Sequence, residues 1–129
     1  MKMQTVLIIE DDDAVRQILA RRLAAPGRET MQASDGVRGL AEARLCHPDV
    51  IVLDVGLPGI DGHSICKVLR ADPDLLHIPI LMLTGLGPDV EKTAIEEGVD
   101  AFLTKPFNFS RLAARVEMLL QRRSAESAS

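Results

Sequence analysis

The chain has 129 residues, room for one domain with a single packed core and too few for a separate catalytic partner domain. Hydrophobic residues make up 47% and charged residues 26%, the composition of a soluble globular protein and not of a disordered one. A formal charge of −4 with no Trp, no Tyr and three Phe leaves no platform for stacking bases, so direct nucleic-acid binding is not expected; nor does any apolar run reach the roughly 18 residues of a membrane span.

Met1–Gln4 contains no apolar signal core, and the cytoplasm is the expected compartment. Val6–Ile9 then reads as a first strand, apolar on both faces like a central parallel strand covered by helices on each side. Glu10-Asp11-Asp12-Asp13 closes it, and Val15, Ile18, Leu19 and Leu23 follow at helical spacing. Glu29–Ala33 is a more polar strand that suits a sheet edge, and Val37, Leu40, Ala41 and Leu45 mark a second helix. Val50–Leu53 is again apolar on both faces and is closed by Asp54; Ile65, Val68 and Leu69 mark a third helix. Ile80–Leu83 is a fourth strand ending in Thr84, after which Gly85 and Gly87 free the backbone and Pro88 fixes the start of a fourth helix carrying Val90 and Ala94 and stopping at Gly98. Ala101–Leu103 is the fifth strand, with Lys105 just beyond it. Leu112, Val116, Leu119 and Leu120 form the clearest amphipathic stripe, and all the stripes are expected to face the core. The domain is expected over 1–123, with Ser124–Ser129 a small polar tail or linker.

Strict alternation of strand and helix makes the crossovers right-handed and the sheet parallel. The expected fold is therefore α/β, a (βα)₅ doubly wound sheet with the flavodoxin-like strand order 2-1-3-4-5, in which ligands bind beyond the carboxyl ends of the strands. Arg21-Arg22 and Arg122-Arg123 fall near the ends of helical segments, where cations suit the macrodipole. Cys46 and Cys66 share no metal-ligand spacing with the histidines and read as buried small hydrophobes. His47, His63 and His77 make no i, i+3 or i, i+4 pair and are assigned structural roles.

The strand ends carry the chemistry. Glu10 and Asp11, Asp54, Thr84 and Lys105 converge on one edge of an otherwise apolar sheet. Three carboxylates from neighbouring strands repel one another and raise each other's pKa unless a cation joins them. Hard oxygen ligands call for Mg²⁺, with Asp11 and Asp54 as direct ligands and Glu10 acting through water. Asp12 or Asp13 is expected to cap the first helix, and Lys105 offsets the carboxylates.

Four stretches together resemble the motifs of a response-regulator receiver domain: Leu7-Ile8-Ile9-Glu10-Asp11-Asp12, Asp54-Val55-Gly56-Leu57-Pro58-Gly59-Ile60-Asp61-Gly62, Leu83-Thr84-Gly85 and Phe102-Leu103-Thr104-Lys105-Pro106-Phe107. The resemblance covers nearly the whole chain and implies a two-component signalling module, not a turnover enzyme. It implies that Asp54 accepts a phosphoryl group from a histidine kinase or histidine phosphotransfer protein, and that Glu10, Asp11, Asp54 and the Gly56 backbone carbonyl hold Mg²⁺. Thr84 and Lys105 would contact the phosphoryl oxygens, and Phe102 would be the switch aromatic that alters a surface read by a downstream output domain or protein. A cis Lys105–Pro106 bond is expected too, since an X-Pro bond costs only about 0.5–1 kcal/mol to hold cis and the bend would turn Lys105 over the site. Gly56 and Leu86 stand where this family often places side chains that tune loss of the phosphoryl group. A homodimer through the face carrying Asp100 and Arg115 is a further implication. No output domain follows Arg123, so the chain is either a stand-alone receiver or a fragment of a longer regulator.

Three other readings use the same residues. Asp11-Asp12-Asp13-Ala14-Val15 fits the motif of haloacid-dehalogenase-like phosphatases, which would make Asp11 the nucleophile, but those enzymes carry extra turns between first strand and helix, and here the helical stripe begins at once with Val15. A nucleotide- or flavin-binding module needs a loop of N–H donors where this chain has carboxylates. A pseudo-receiver would keep the fold as a phosphorylation-independent docking surface.

Overall fold

A computed structural model of the chain describes residues 3–85 and 98–128. Five strands, β1 (Gln4–Ile9), β2 (Arg28–Ala33), β3 (Val50–Asp54), β4 (Ile80–Thr84) and β5 (Ala101–Thr104), form one sheet in the order β2-β1-β3-β4-β5, every neighbouring pair parallel. The helices among the described residues are α1 (Asp13–Leu23), α2 (Gly36–Cys46), α3 (Gly62–Ala71) and the C-terminal α4 (Phe109–Ala128). The expected strand order is observed, with the polar strand β2 at an edge. The helix expected around Val90, with Gly87 and Pro88 before it, lies outside the described residues; Gly98 has the left-handed φ of +74°. No helix among the described residues is long and apolar enough to cross a membrane.

The period-two alternation of the strands divides the core between two faces. Leu7, Ile9, Ile51, Leu53, Ile80 and Met82 pack against α2 and α3 on one side. Val6, Ile8, Val50, Val52, Leu81 and Leu83 pack against α1 and α4 on the other. The α4 stripe is buried in full: Leu112, Val116, Leu119 and Leu120 all face the sheet. Helical backbone continues through residues 124–128, where the sequence reads as a polar tail. Extending an existing helix adds one backbone hydrogen bond per residue and needs no buried face.

The α2 expectation is corrected. Leu40 is buried, but Val37 is 63% and Leu45 79% exposed, and Ala41 also faces outward. The buried face is instead Gly36, Gly39, Leu40 and Ala43. Glycine decides it: a Cβ on Gly39 would come within 2.5 Å of the Ile9 side chain, so α2 lies on β1 along its glycines. Ile18 and Val68 are likewise exposed rather than core. Cys66 is buried as expected, whereas Cys46 is half-buried, with burial raising its thiol pKa.

Three aspartates start three helices in the same way. Asp12, Asp35 and Asp61 each accept a hydrogen bond from the backbone N–H three residues on, at Val15, Arg38 and Ser64. The bond from Ser64 holds the Asp61 carboxyl below its ordinary pKa. At the far end of α2, His47 takes a left-handed φ of 45° and closes the helix. Arg21 and Arg22 occupy the last turn of α1, as their position in the sequence suggested.

Candidate functional site

The parallel register brings β1, β3, β4 and β5 to a common carboxyl edge, and the residues just past each strand gather there. Asp54 is the last residue of β3 and pairs in register with Leu83; Thr84, the last of β4, pairs with Thr104. The Lys105 N–H donates to the Thr84 carbonyl at 2.7 Å, and the Lys105–Pro106 peptide is cis, as expected. Lys105 Nζ lies 2.7 Å from Asp54 Oδ1, and the Gly56 N–H donates to the same oxygen at 3.0 Å. Two donors therefore converge on one oxygen of the Asp54 carboxylate.

Glu10, Asp11 and Asp54 each offer a carboxylate oxygen, and these oxygens all lie within 4.8 Å of one another. Glu10 and Asp54 are both 3% exposed, while Asp11 is exposed at the rim. Burial first, then the facing Asp54 carboxylate, pushes Glu10 up to about 8. Asp54 moves the other way. Burial opposes its ionisation, but hydrogen bonding to Glu10, Lys105 and the Gly56 N–H outweighs burial and holds its pKa below the ordinary value. The mutual rise expected from the sequence thus falls on one carboxyl of the pair, because donors select Asp54 as the charged member. Glu10 Oε2 is buried with no hydrogen-bond partner among the described residues. A buried acceptor in that state is costly, and two further carboxylates stand beside it. This donor set fits a hard divalent cation such as Mg²⁺.

The other expected residues stand around this centre. Thr84 is buried, and its hydroxyl donates a long 3.5 Å bond to the Gly85 carbonyl, a weak tie that a better acceptor would displace. Phe102 pairs in register with Met82, two residues before the Thr84–Thr104 pair, so Phe102 and Thr84 share one face of the sheet. Its ring is half-buried against the α2–α3 side of the core, not turned fully outward. Gly56 is exposed; a Cβ there would lie 3.7 Å from Asp54 Oδ1. At the opposite end of the strands, Asp100 Oδ2 accepts from Arg70 Nη2 and from the Ile80 N–H, both at 2.9 Å, and Asp100 Oδ1 lies 3.6 Å from Arg122. A dimer contact to Asp100 would compete with these partners, whereas Arg115 is exposed on α4.

Two residues at the site were not singled out from the sequence. A Cβ on Gly62 would fall 2.6 Å from the Val55 Cα and 2.7 Å from the Asp54 carbonyl, so only glycine lets α3 begin against the loop that follows Asp54. Arg16 donates from Nη1 to the Glu10 carbonyl at 2.9 Å. Its pairing with Asp13, three residues earlier on α1, was the available signal. For Gly62 the signal was its place at the end of the Asp54–Gly62 stretch quoted above.

Comparison with known proteins agrees with this geometry. The model of the response regulator receiver domain matches residues 6–117. The chain is 42% identical over 121 residues to the DNA-binding dual master transcriptional regulator RpaA of Synechocystis, covering 93% of this chain and 50% of that protein. The chain thus spans about half the length of the curated relatives it matches. Among solved structures, the Francisella response regulator 1452 receiver domain superposes with a TM-score of 0.84 at 32% identity, over 92% of this chain and 98% of that one. The chemotaxis response regulator CheY4 of Vibrio cholerae gives 0.83 at 32% identity, over 92% and 99%.

Proposed function

Because the chain belongs to the response regulator receiver domain family of two-component signalling, we propose that it takes a phosphoryl group onto Asp54 from the phosphohistidine of a histidine kinase or histidine phosphotransfer protein. The observation that carries this reading is the Asp54 carboxylate itself: buried, held ionised by Lys105 and Gly56, and faced by Glu10 and Asp11. In the reaction an Asp54 oxygen attacks phosphorus, the P–N bond of phosphohistidine breaks, and its electron pair returns to the imidazole. The product is an acyl phosphate. Such a transfer asks the protein chiefly for positioning and for neutralisation of spreading negative charge.

Each residue has a part in that. The Gly56 N–H and Lys105 Nζ orient the nucleophile, and Lys105 then follows the charge onto the incoming oxygens. Thr84, with its hydroxyl at the adjacent strand end, donates to one of them. Glu10, Asp11 and Asp54, with the Gly56 carbonyl, would hold Mg²⁺, which when bound neutralises phosphoryl oxygens while keeping several waters. The chain catalyses only its own phosphorylation and dephosphorylation, and the modified state is read by an output domain or protein. The relative named for DNA binding is about twice this chain's length, and DNA contact is not carried over to these residues.

Incubation with a small acyl-phosphate donor and Mg²⁺, followed by mass spectrometry, tests the reading. Asp54 should be labelled only with the metal present, and Asp54→Asn should carry no label. Undiminished labelling in that variant, or label on Asp11, would sink the assignment; the latter would be the mark of a dehalogenase-like hydrolase. The structure favours the receiver reading over that one, since α1 begins at Asp13, directly after the Asp12 cap, with no inserted turns.

A further inference from the structure

One guanidinium meets three oxygens beside the acidic loop. Arg16 Nη1 donates to the Glu10 carbonyl at 2.9 Å, Nη2 to Asp13 Oδ1 at 2.6 Å, and Nε to Gln32 Oε1 at 3.3 Å. The side chain is only 13% exposed. Three elements are joined through it: the turn after β1, the first turn of α1, and the edge strand β2.

We infer that Arg16 is a positioning residue for the metal ligands, setting the angle between the Glu10 and Asp11 carboxylates through the peptide group that links them. This rests on the reading above that those carboxylates hold Mg²⁺. The Glu10 carbonyl belongs to the peptide joining the two ligands, so its direction fixes how Asp11 leaves the strand. On the amino side, the Glu10 N–H is already tied to the Ala33 carbonyl at 3.1 Å. Arg16 supplies the tie on the carbonyl side, and the turn is then held at both ends.

A bland helix-starting role does not account for the contact. The N-terminus of α1 is capped by Asp12, and an exposed i, i+3 pair with Asp13 adds little by itself. Electrostatics alone would disfavour a fixed positive charge beside a divalent cation site. Its planar fork, with donors in three directions, is what the geometry uses. A lysine ammonium on a flexible stem keeps the charge and loses that fork.

The test is calorimetric titration of Mg²⁺ into the whole chain, as wild type, Arg16→Lys and Arg16→Gln, with thermal midpoints and acyl-phosphate labelling rates on the same samples. Both variants should bind Mg²⁺ about tenfold more weakly. Their labelling rate should return to within about twofold of wild type once Mg²⁺ is saturating, the pattern of a lost ligand geometry and not of a lost chemical group. Tighter Mg²⁺ binding in Arg16→Gln would show a charge acting through space and would overturn the inference. Unchanged affinity alongside a lowered thermal midpoint would reduce Arg16 to a packing role and overturn it equally. If Arg16→Gln fails to fold, Arg16→Lys decides alone: weakened Mg²⁺ binding supports the inference, and unchanged affinity overturns it. A wild-type chain that binds no Mg²⁺ and labels nowhere would refute the site reading and this inference with it; a wild type that binds and labels beside unaffected variants would refute this inference alone.

Discussion

Glu10 is the residue whose state is most unusual. In metal-free protein its pKa is pushed up from 4.5 to about 8, by burial first and then by Asp54. Between those values the folded chain keeps a proton that the unfolded chain has released. The folded state binds more protons, so stability should fall as pH rises across that window. Asp54 acts in a lower window and with the opposite sign: its pKa is held below the ordinary 3.8, so its contribution is present above that value and lost only in stronger acid. Urea denaturation in the presence of a chelator should therefore show a midpoint that declines from about pH 4.5 to about pH 8. Glu10→Gln should flatten that decline, and matching slopes in the two proteins would refute the assignment. Proximity of the candidate site residues was legible in the sequence, because charged groups at the ends of apolar strands have few innocent explanations. Which carboxyl keeps the proton was not legible, since that depends on the Gly56 N–H and Lys105 Nζ converging on one oxygen.

Among the elements, the strands were readable to within a residue or two, and α2 was not. Strands β1 and β3 are apolar on both faces, so no choice of face had to be made. For α2, Val37, Ala41 and Leu45 form an apolar row as regular as the true buried one, and the tie is broken by glycines that leave room for Ile9 and Ile65. A hydrophobic pattern gives no weight to a residue with no side chain. The consequence is measurable. Leu40→Ala, at a buried position, should cost about 2–5 kcal/mol. Leu45→Ser should stay within about 0.5 kcal/mol of wild type, and a loss from Leu45→Ser as large as that from Leu40→Ala would contradict the observed face.

The molecule as a whole places its proposed chemistry and its proposed switch on one stretch of sheet. Thr84 and Phe102 share a face and lie on neighbouring strands, so a Thr84 hydroxyl drawn toward a phosphoryl group would vacate volume that the half-buried ring can enter. With a phosphoryl mimic and Mg²⁺, the ring NMR signals of Phe102 should shift, and Thr84→Ala should abolish the shift. A Phe102 that stays unchanged while Thr84 moves would mean the two are uncoupled. The doubly wound topology was legible from alternation alone, but the network at the other end of the strands was not, because most of its acceptors are backbone carbonyls that carry no mark in the sequence. There Arg70 donates to the carbonyls of Leu76, Ile78 and Gly98 and to Asp100, which also takes the Ile80 N–H. α3, the approach to β4 and the approach to β5 are riveted together at that margin. At the opposite margin the tie on Asp54 is the Lys105 ammonium, the group the proposed phosphoryl oxygens would compete for, so rearrangement is expected there and not at the riveted end.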